Sequence, residues 1–220
     1  WEFGGPPRSA YELARGLTER GHKVKVLTTD TCGSARVGKQ WINRRLDGIE
    51  VVHFRNFSNS FAFKQRISIV PGLGIRLRKH LRDVDVVHLH EYRSLVTVAG
   101  VNACKARGVP YVLSPHGGLK PLGKVLAKQV FDRLWGKRIL ENASRIAAVS
   151  PMEEIQALEI GVPAHNIRTM PNAVRVGQFK TLPPSGRFRE RWSIKGSKIV
   201  LFIGRLNWIK GADLVVRALT

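Results

Sequence analysis

Three short stretches of this sequence combine glycine with groups able to bind charge. Gly4 and Gly5 stand ahead of a helical pattern, where unpaired backbone N–H groups and the helix dipole favour an anion and glycine lets it come close. Ordinary turns use the same two residues. His116 lies between the apolar run 109–114 and the pair Gly117 and Gly118, so its imidazole stands at a strand end beside permissive backbone. A lone histidine is most often structural, but that setting suits a binding site better than most. Third, Gly204 and Arg205 follow the apolar run 199–203, and Lys210 and Gly211 open the next helical pattern. Two fixed cations beside free N–H groups suit a diphosphate; the bland alternative is a pair of solvated surface charges.

His88 and His90, followed by Glu91, alternate at another strand end like a pair of metal ligands. Alternation puts both imidazoles on one face, yet no further Cys, His or Asp stands at ligand spacing, so no metal is expected. The chain has no GxSxG, Walker lysine loop or GxGxxG, which argues against hydrolase, P-loop and dehydrogenase chemistry.

Alternating strands and helices position these loops. Ser9 and Glu12 have the spacing of a capping box, predicting a helix capped at Ser9 and closed by Gly21 in the left-handed conformation. A strand at 24–28, a basic loop at 30–48 and a strand at 49–54 follow. A short helix then shows Leu73, Leu77 and Leu81 on one side and Arg78, Lys79 and Arg82 on the other. Further strands are expected at 84–89, 109–114, 145–149 and 166–170. Helices are expected at 96–107, at 124–142, and after a second capping box formed by Ser150 and Glu153. The fold class is therefore α/β, a mostly parallel Rossmann-like sheet flanked by helices, with ligands beyond the carboxyl ends of the strands. Residues 1–175 read as one domain, 176–197 as a linker rich in Pro and Gly, and 198–220 as the first strand and helix of a second domain.

Composition narrows the partners. Of 220 residues, 37 are Lys or Arg and 16 Asp or Glu, a net charge of +21 that favours phosphate-rich partners or an anionic membrane. No acid occurs between residues 51 and 82, so this stretch fits an anionic membrane surface, or simply a solvated basic face. Nucleic acid is the other class this charge allows, with Phe54, Phe57, Phe61 and Phe63 as stacking platforms. No nucleic-acid-binding signature accompanies them, so no specific nucleic acid is expected. Cys32 and Cys104 stand far apart, which fits a reduced, cytoplasmic setting, peripheral to the inner face of the cell membrane at most. A start without Met and an end at Thr220 within a helical pattern lead to the expectation of a piece of a longer protein.

GGPPRSAYELARGLTERGHKVKVLTTD, VDVVHLHEY, YVLSPHGG, ASRIAAVSPMEEIQALEIGVPAHNIRTMPNAV and IVLFIGRLNWIKGADLVVRAL, in that order, resemble glycosyltransferase family 4. This family comprises retaining nucleotide-sugar transferases of GT-B fold, in which an acceptor-side domain faces a donor-side domain. The resemblance implies that Gly4, Gly5, Arg205 and Lys210 meet the donor diphosphate. It makes His116 the catalytic histidine near the transferring sugar, with Glu91 and Gly117 on the acceptor side. The implied donor is a UDP- or GDP-linked sugar. The implied acceptor is a glycan or lipid-linked molecule of cell-envelope polysaccharide or lipopolysaccharide synthesis, and no cofactor or metal is implied. A nucleotide-sugar epimerase shares the architecture and is the alternative within it. Two departures stand out: no E-x7-E occurs, and the family's PNGVD reads PNAVR at 171–175. The isolated chain is accordingly expected to be inactive.

Overall fold

The computed structural model describes residues 4–121, 123, 125–196, 198–204, 206 and 208–219. They form two compact units, Trp1–Arg175 and Val176–Thr220. The first opens with α1, Gly5–Glu19, so the predicted start at Ser9 is a turn too late. Gly4 caps the helix at φ 88° and ψ −143°, and Pro6 and Pro7 fill its first turn, where a fixed φ fits and no N–H is needed. Ser9 and Glu12 thus lie inside the helix and make no capping box. Ser9 Oγ donates to Asn172 Oδ1 at 2.9 Å, and the Glu12 carboxylate lies 3.8 Å from Arg175 Nε. Gly21, at φ 88°, closes the helix as expected: its N–H and that of His22 reach the carbonyls of Thr18 and Leu17.

After β1, Lys25–Thr29, the segment read as loop carries a small hairpin, β2 Thr31–Cys32 with β3 Ala35–Arg36, and the short strand β4, Arg45–Leu46. Buried Asp30 organises it, accepting from Arg36 and, at 2.8 Å, from the N–H of Asn56. β5, Ile49–Phe54, pairs parallel with β1 and antiparallel with β4. α2, Asn59–Gln65, is capped by Ser58 and was not marked in the sequence by any apolar period. α3, Leu73–His80, buries Leu73 and Leu77, with Leu81 just beyond, and leaves Arg76, Arg78, Lys79 and Arg82 exposed.

β6, Val87–His90, leads to α4, Leu95–Arg107, which ends at Gly108 with φ 68°. β7, Tyr111–Ser114, is followed by α5, Val125–Phe131, a π-helical turn Asp132–Gly136, and α6, Lys137–Glu141. The sequence shows these three as one helix whose predicted first residue, Lys124, lies outside the described residues. β8, Arg145–Ala148, then α7, Pro151–Glu159, capped by Ser150, and β9, Ile167–Thr169, complete the unit. β6, β7, β8 and β9 form a parallel sheet in that order, with β1, β5 and β4 as a separate mixed sheet. Among the described residues no ladder joins β1 to β6, so the expected single sheet is two. One core nonetheless spans both: Phe54, the α3 leucines, Cys104, Leu113 and Ile146 belong to one buried cluster.

In the second unit, α8, Arg187–Arg191, a 3-10 turn Trp208–Lys210 and α9, Ala212–Arg217, are the elements after residue 180. The strand expected at 199–203 does not form. A strand needs a neighbour for its N–H and C=O groups, and none of the described residues supplies one. No described residue of this unit is buried, in keeping with a segment too short to build a core.

Leu113 is fully buried at the centre of the parallel sheet, whereas Val86, just before β6, is 56% exposed. Leu113→Ala is therefore expected to cost about 2–5 kcal/mol in urea unfolding. Val86→Ala should stay within about 0.5 kcal/mol. Equal effects would mean that the buried cluster does not form as described.

Candidate functional site

Parallel pairing brings the last residues of β6, β7 and β8 to one edge. In register His90 stands beside Ser114 and His88 beside Val112, and the two histidines share a face of β6. The chain leaving β7 turns sharply at 115–118. His116 and Gly117 both have positive φ, 52° and 75°, and Gly118 N–H donates to the Pro115 carbonyl at 3.0 Å. A β-carbon on Gly118 would lie 2.7 Å from that oxygen, so the second glycine is required by space and the first by conformation.

This turn folds His116 back over β6 and supplies the third imidazole that sequence spacing could not show. His88, His90 and His116 stack, with ring centroids 4.4 and 5.2 Å apart and rings within 17° of parallel. His90 Nδ1 and His116 Nε2 are 2.9 Å apart in a hydrogen bond, and His88 Nε2 bonds Ser114 Oγ at 2.8 Å. No group of three or more possible metal ligands occurs among the described residues. Burial, reinforced by the neighbouring imidazoles, lowers the pKa of His88 to about 4 and of His90 to about 3. Burial alone lowers that of His116. All three rings are neutral near pH 7. His116 Nδ1 is buried and has no hydrogen-bond partner among the described residues.

Glu91 follows at φ 74°, a second non-glycine residue in the left-handed region at the same edge, where such strain tends to gather at functional sites. Its N–H donates to the Ser114 carbonyl at 2.9 Å, and its own carbonyl accepts from Thr97 Oγ1 at 2.8 Å. Glu91 is exposed as a residue, yet desolvation of its carboxyl by surrounding protein raises the pKa, an effect Arg66 partly offsets. The Gly117 N–H is already taken by the carboxylate of buried Glu153. Glu153 looked like the far end of a capping box, and the Ser150 half of that box does form, Ser150 Oγ accepting from the Glu153 N–H at 3.3 Å. The carboxylate instead reaches out of its helix to Gly117 and, at 2.8 Å, to the Val149 N–H.

Gly4 and Gly5 stand at the amino end of α1, open to approach, with nothing near an added β-carbon. Pro6 and Pro7 remove two of the N–H groups that such an end would otherwise present, leaving those of Gly4 and Gly5. Lys210 is exposed on the 3-10 turn of the second unit, and Gly211 caps α9 at φ 65°. Arg205 lies outside the described residues, as does Thr220. The structure thus gathers His116, Gly117 and Glu91 with His88 and His90. It joins neither Gly4 nor Gly5 to them by any hydrogen bond among the described residues. Cys32 is exposed and Cys104 buried, neither in a disulfide. No helix among the described residues is long and apolar enough to cross a membrane.

Comparison with known proteins agrees with this architecture. The family described as Glycosyltransferase Family 4 matches residues 3–178. A D-inositol 3-phosphate glycosyltransferase of Kineococcus radiotolerans is 25% identical over 99% of this chain and 52% of its own length. A GDP-mannose-dependent alpha-mannosyltransferase of Mycobacterium tuberculosis is 27% identical over 96% of this chain and 55% of its own. The chain thus spans about half the length of these curated relatives. Among solved structures, Anabaena Alr3699/HepE in complex with UDP-glucose superposes with a TM-score of 0.60 and 20% identity, covering 89% of this chain and 57% of that one. This likeness shows the fold.

The lowered histidine pKa values set a pH dependence. Below 6.5 the unfolded chain binds protons that the folded stack refuses, so stability is complete above about pH 7 and is lost as pH falls toward 4 and then 3. His88→Gln is expected to remove about one proton from this linkage, flattening the slope between pH 6 and pH 4.5 by about 1.4 kcal/mol per pH unit. Urea unfolding across that range reads it; an unchanged slope would show that His88 is not buried neutral.

Proposed function

The chain belongs to glycosyltransferase family 4, and from that premise we propose that it supplies the acceptor side of an enzyme moving a sugar, with retention, from a nucleoside-diphosphate sugar to a hydroxyl acceptor. The observation that carries this reading is the imidazole cluster at the carboxyl edge of the parallel sheet, with a buried His116 Nδ1 that has no hydrogen-bond partner among the described residues. Positive charge grows at the anomeric carbon as the bond to the diphosphate breaks. A protonated histidine beside it would oppose that charge, whereas a neutral ring offers a hydrogen bond to a sugar hydroxyl without repulsion. Negative charge grows on the departing diphosphate, and Arg205, Lys210 and the N–H groups of Gly4 and Gly5 are the groups suited to stabilise it.

In this reading residues 1–175 are the acceptor-side domain, 176–197 the connection and 198–220 the opening of the donor-side domain. The donor is UDP- or GDP-linked, since the solved relative is described in complex with UDP-glucose and a curated one as GDP-mannose-dependent. The acceptor is a glycan or lipid-linked molecule of the cell envelope, reached through Glu91 and the Gly117 turn. The exposed cations of α3 support contact with an anionic membrane at the cytoplasmic face. Because its leucines are packed into the core, that contact is electrostatic rather than insertive.

Two measurements test this function. Incubated with UDP-glucose or GDP-mannose and a panel of acceptors, the full-length enzyme should yield a new glycoside of unchanged anomeric configuration. His116→Ala should lower kcat/KM by about 10²-fold. An isomerised donor without glycoside would instead place the protein among epimerases. Sedimentation with vesicles containing phosphatidylserine should show binding that weakens as salt rises and is lost when Arg76, Arg78 and Lys79 are replaced by Gln. Equal binding to neutral vesicles would remove the membrane contact and leave the enzymatic reading standing.

A further inference from the structure

The turn at 115–118 belongs to no strand or helix, and it holds His116 in a backbone conformation that side chains other than glycine seldom adopt. Something outside the turn must keep it there. One support is Glu153, 2% exposed, whose two carboxylate oxygens accept from the N–H groups of Gly117 and Val149, in the loops leaving β7 and β8. Among the described residues Glu153 has no ion-pair partner. A buried carboxylate satisfied by backbone N–H alone is a costly arrangement to keep for packing, because an apolar side chain would fill the same space without desolvating a charge.

A second support is Arg93, its side chain 11% exposed. Its guanidinium donates to the carbonyls of Gly118 and, at 2.9 Å, Leu119. The remaining face of the fork meets both oxygens of Asp132, Nε at 2.8 Å and a terminal nitrogen at 2.6 Å. Asp132 opens the π-helical turn, whose extra residue per turn re-aims side chains that a regular helix would send elsewhere. In the same turn Gly136 leaves room for the Tyr92 hydroxyl, which a β-carbon there would strike. The carboxylate thus grips an N–H of the His116 turn while the guanidinium grips the carbonyls just after it. Neither hydrogen-bonds the imidazole, whose Nε2 meets His90.

We propose that Glu153 and Arg93, the latter oriented by Asp132, are positioning residues for sugar transfer that clamp the turn through its N–H and carbonyl groups and hold His116 against His90. The clamp acts on backbone atoms, so it fixes where His116 points without adding charge at its ring. This inference rests on the reading of His116 as the residue at the transferring sugar.

The test compares Glu153→Gln, Asp132→Asn and His116→Ala in the full-length enzyme by steady-state kinetics, thermal melting and long-range 1H–15N spectra of the imidazoles. Glutamine keeps the stem of Glu153 but turns an N–H donor toward one of the two N–H groups. Glu153→Gln and Asp132→Asn are each expected to lower kcat by about tenfold or more, as sub-ångström misplacement does, with the donor KM changed less than about threefold. The His116 nitrogen signals should move toward those of a ring released from His90. Wild-type kcat in His116→Ala would overturn the underlying reading. If His116→Ala is impaired while Glu153→Gln and Asp132→Asn keep wild-type kcat and unchanged His116 signals, the positioning role alone falls. A loss of kcat that merely tracks melting temperature, with those signals unchanged, likewise overturns it. Should Glu153→Gln not fold, Asp132→Asn, at a side chain 31% exposed, carries the same decision.

Discussion

Four strands running the same way make the rest of the molecule legible. β6, β7, β8 and β9 pair only in parallel, so their carboxyl ends emerge at one edge and residues far apart in sequence are delivered there together. The backbone bonding continues past the strands: the Glu91 N–H meets the Ser114 carbonyl, and the Met170 N–H meets that of Ala148. Each loop therefore leaves the sheet from a fixed point. A shift of one residue in the β6–β7 register would turn His88 and His90 to the opposite face and break up the stack.

From that edge the energetics follow in order. Burial keeps the three imidazoles neutral, and neutrality lets them stack at ring distances that charged rings would not tolerate. The stack in turn demands a turn conformation that histidine disfavours, and two charged side chains with backbone partners sustain it. Strain, desolvation and hydrogen bonding are thus concentrated in a few residues at one edge, while the opposite side of the sheet is ordinary apolar packing around Leu113 and Ile146.

Period and punctuation were readable wherever the cause was local. Gly21 and Gly108 close helices because each takes the left-handed conformation there, and Leu73, Leu77 and Leu81 face the core because helical spacing puts them on one side. The position of His116 at a strand end was readable for the same reason. What failed depended on distant partners. The pattern of Ser9 and Glu12 imitates a cap, but Ser9 bonds Asn172 at the far end of the unit, and Glu12 bonds Arg15 in its own helix with Arg175 3.8 Å away. Glu153 imitates one too, and its carboxylate is claimed by a turn 36 residues earlier. His88 and His90 looked like a pair because the third ring arrives from 26 residues beyond His90. The apolar run 199–203 reads as a strand on composition, but a strand is a relation between two segments, and composition describes one.

The hydrogen bond between His90 and His116 has one more consequence. It joins two neutral rings, each with a single N–H, so the proton in the bridge decides the character of the nitrogen at the other side of His116. If His116 Nε2 donates, Nδ1 is left as an acceptor; if His90 donates, Nδ1 carries the hydrogen. Moving one proton across 2.9 Å, with compensating exchange at the outer nitrogens, reverses the polarity offered at Nδ1 without altering the charge of the pair. A hydroxyl can both give and take a hydrogen bond, so such a nitrogen matches it in either state: the polarity of the contact can reverse while the pair stays neutral.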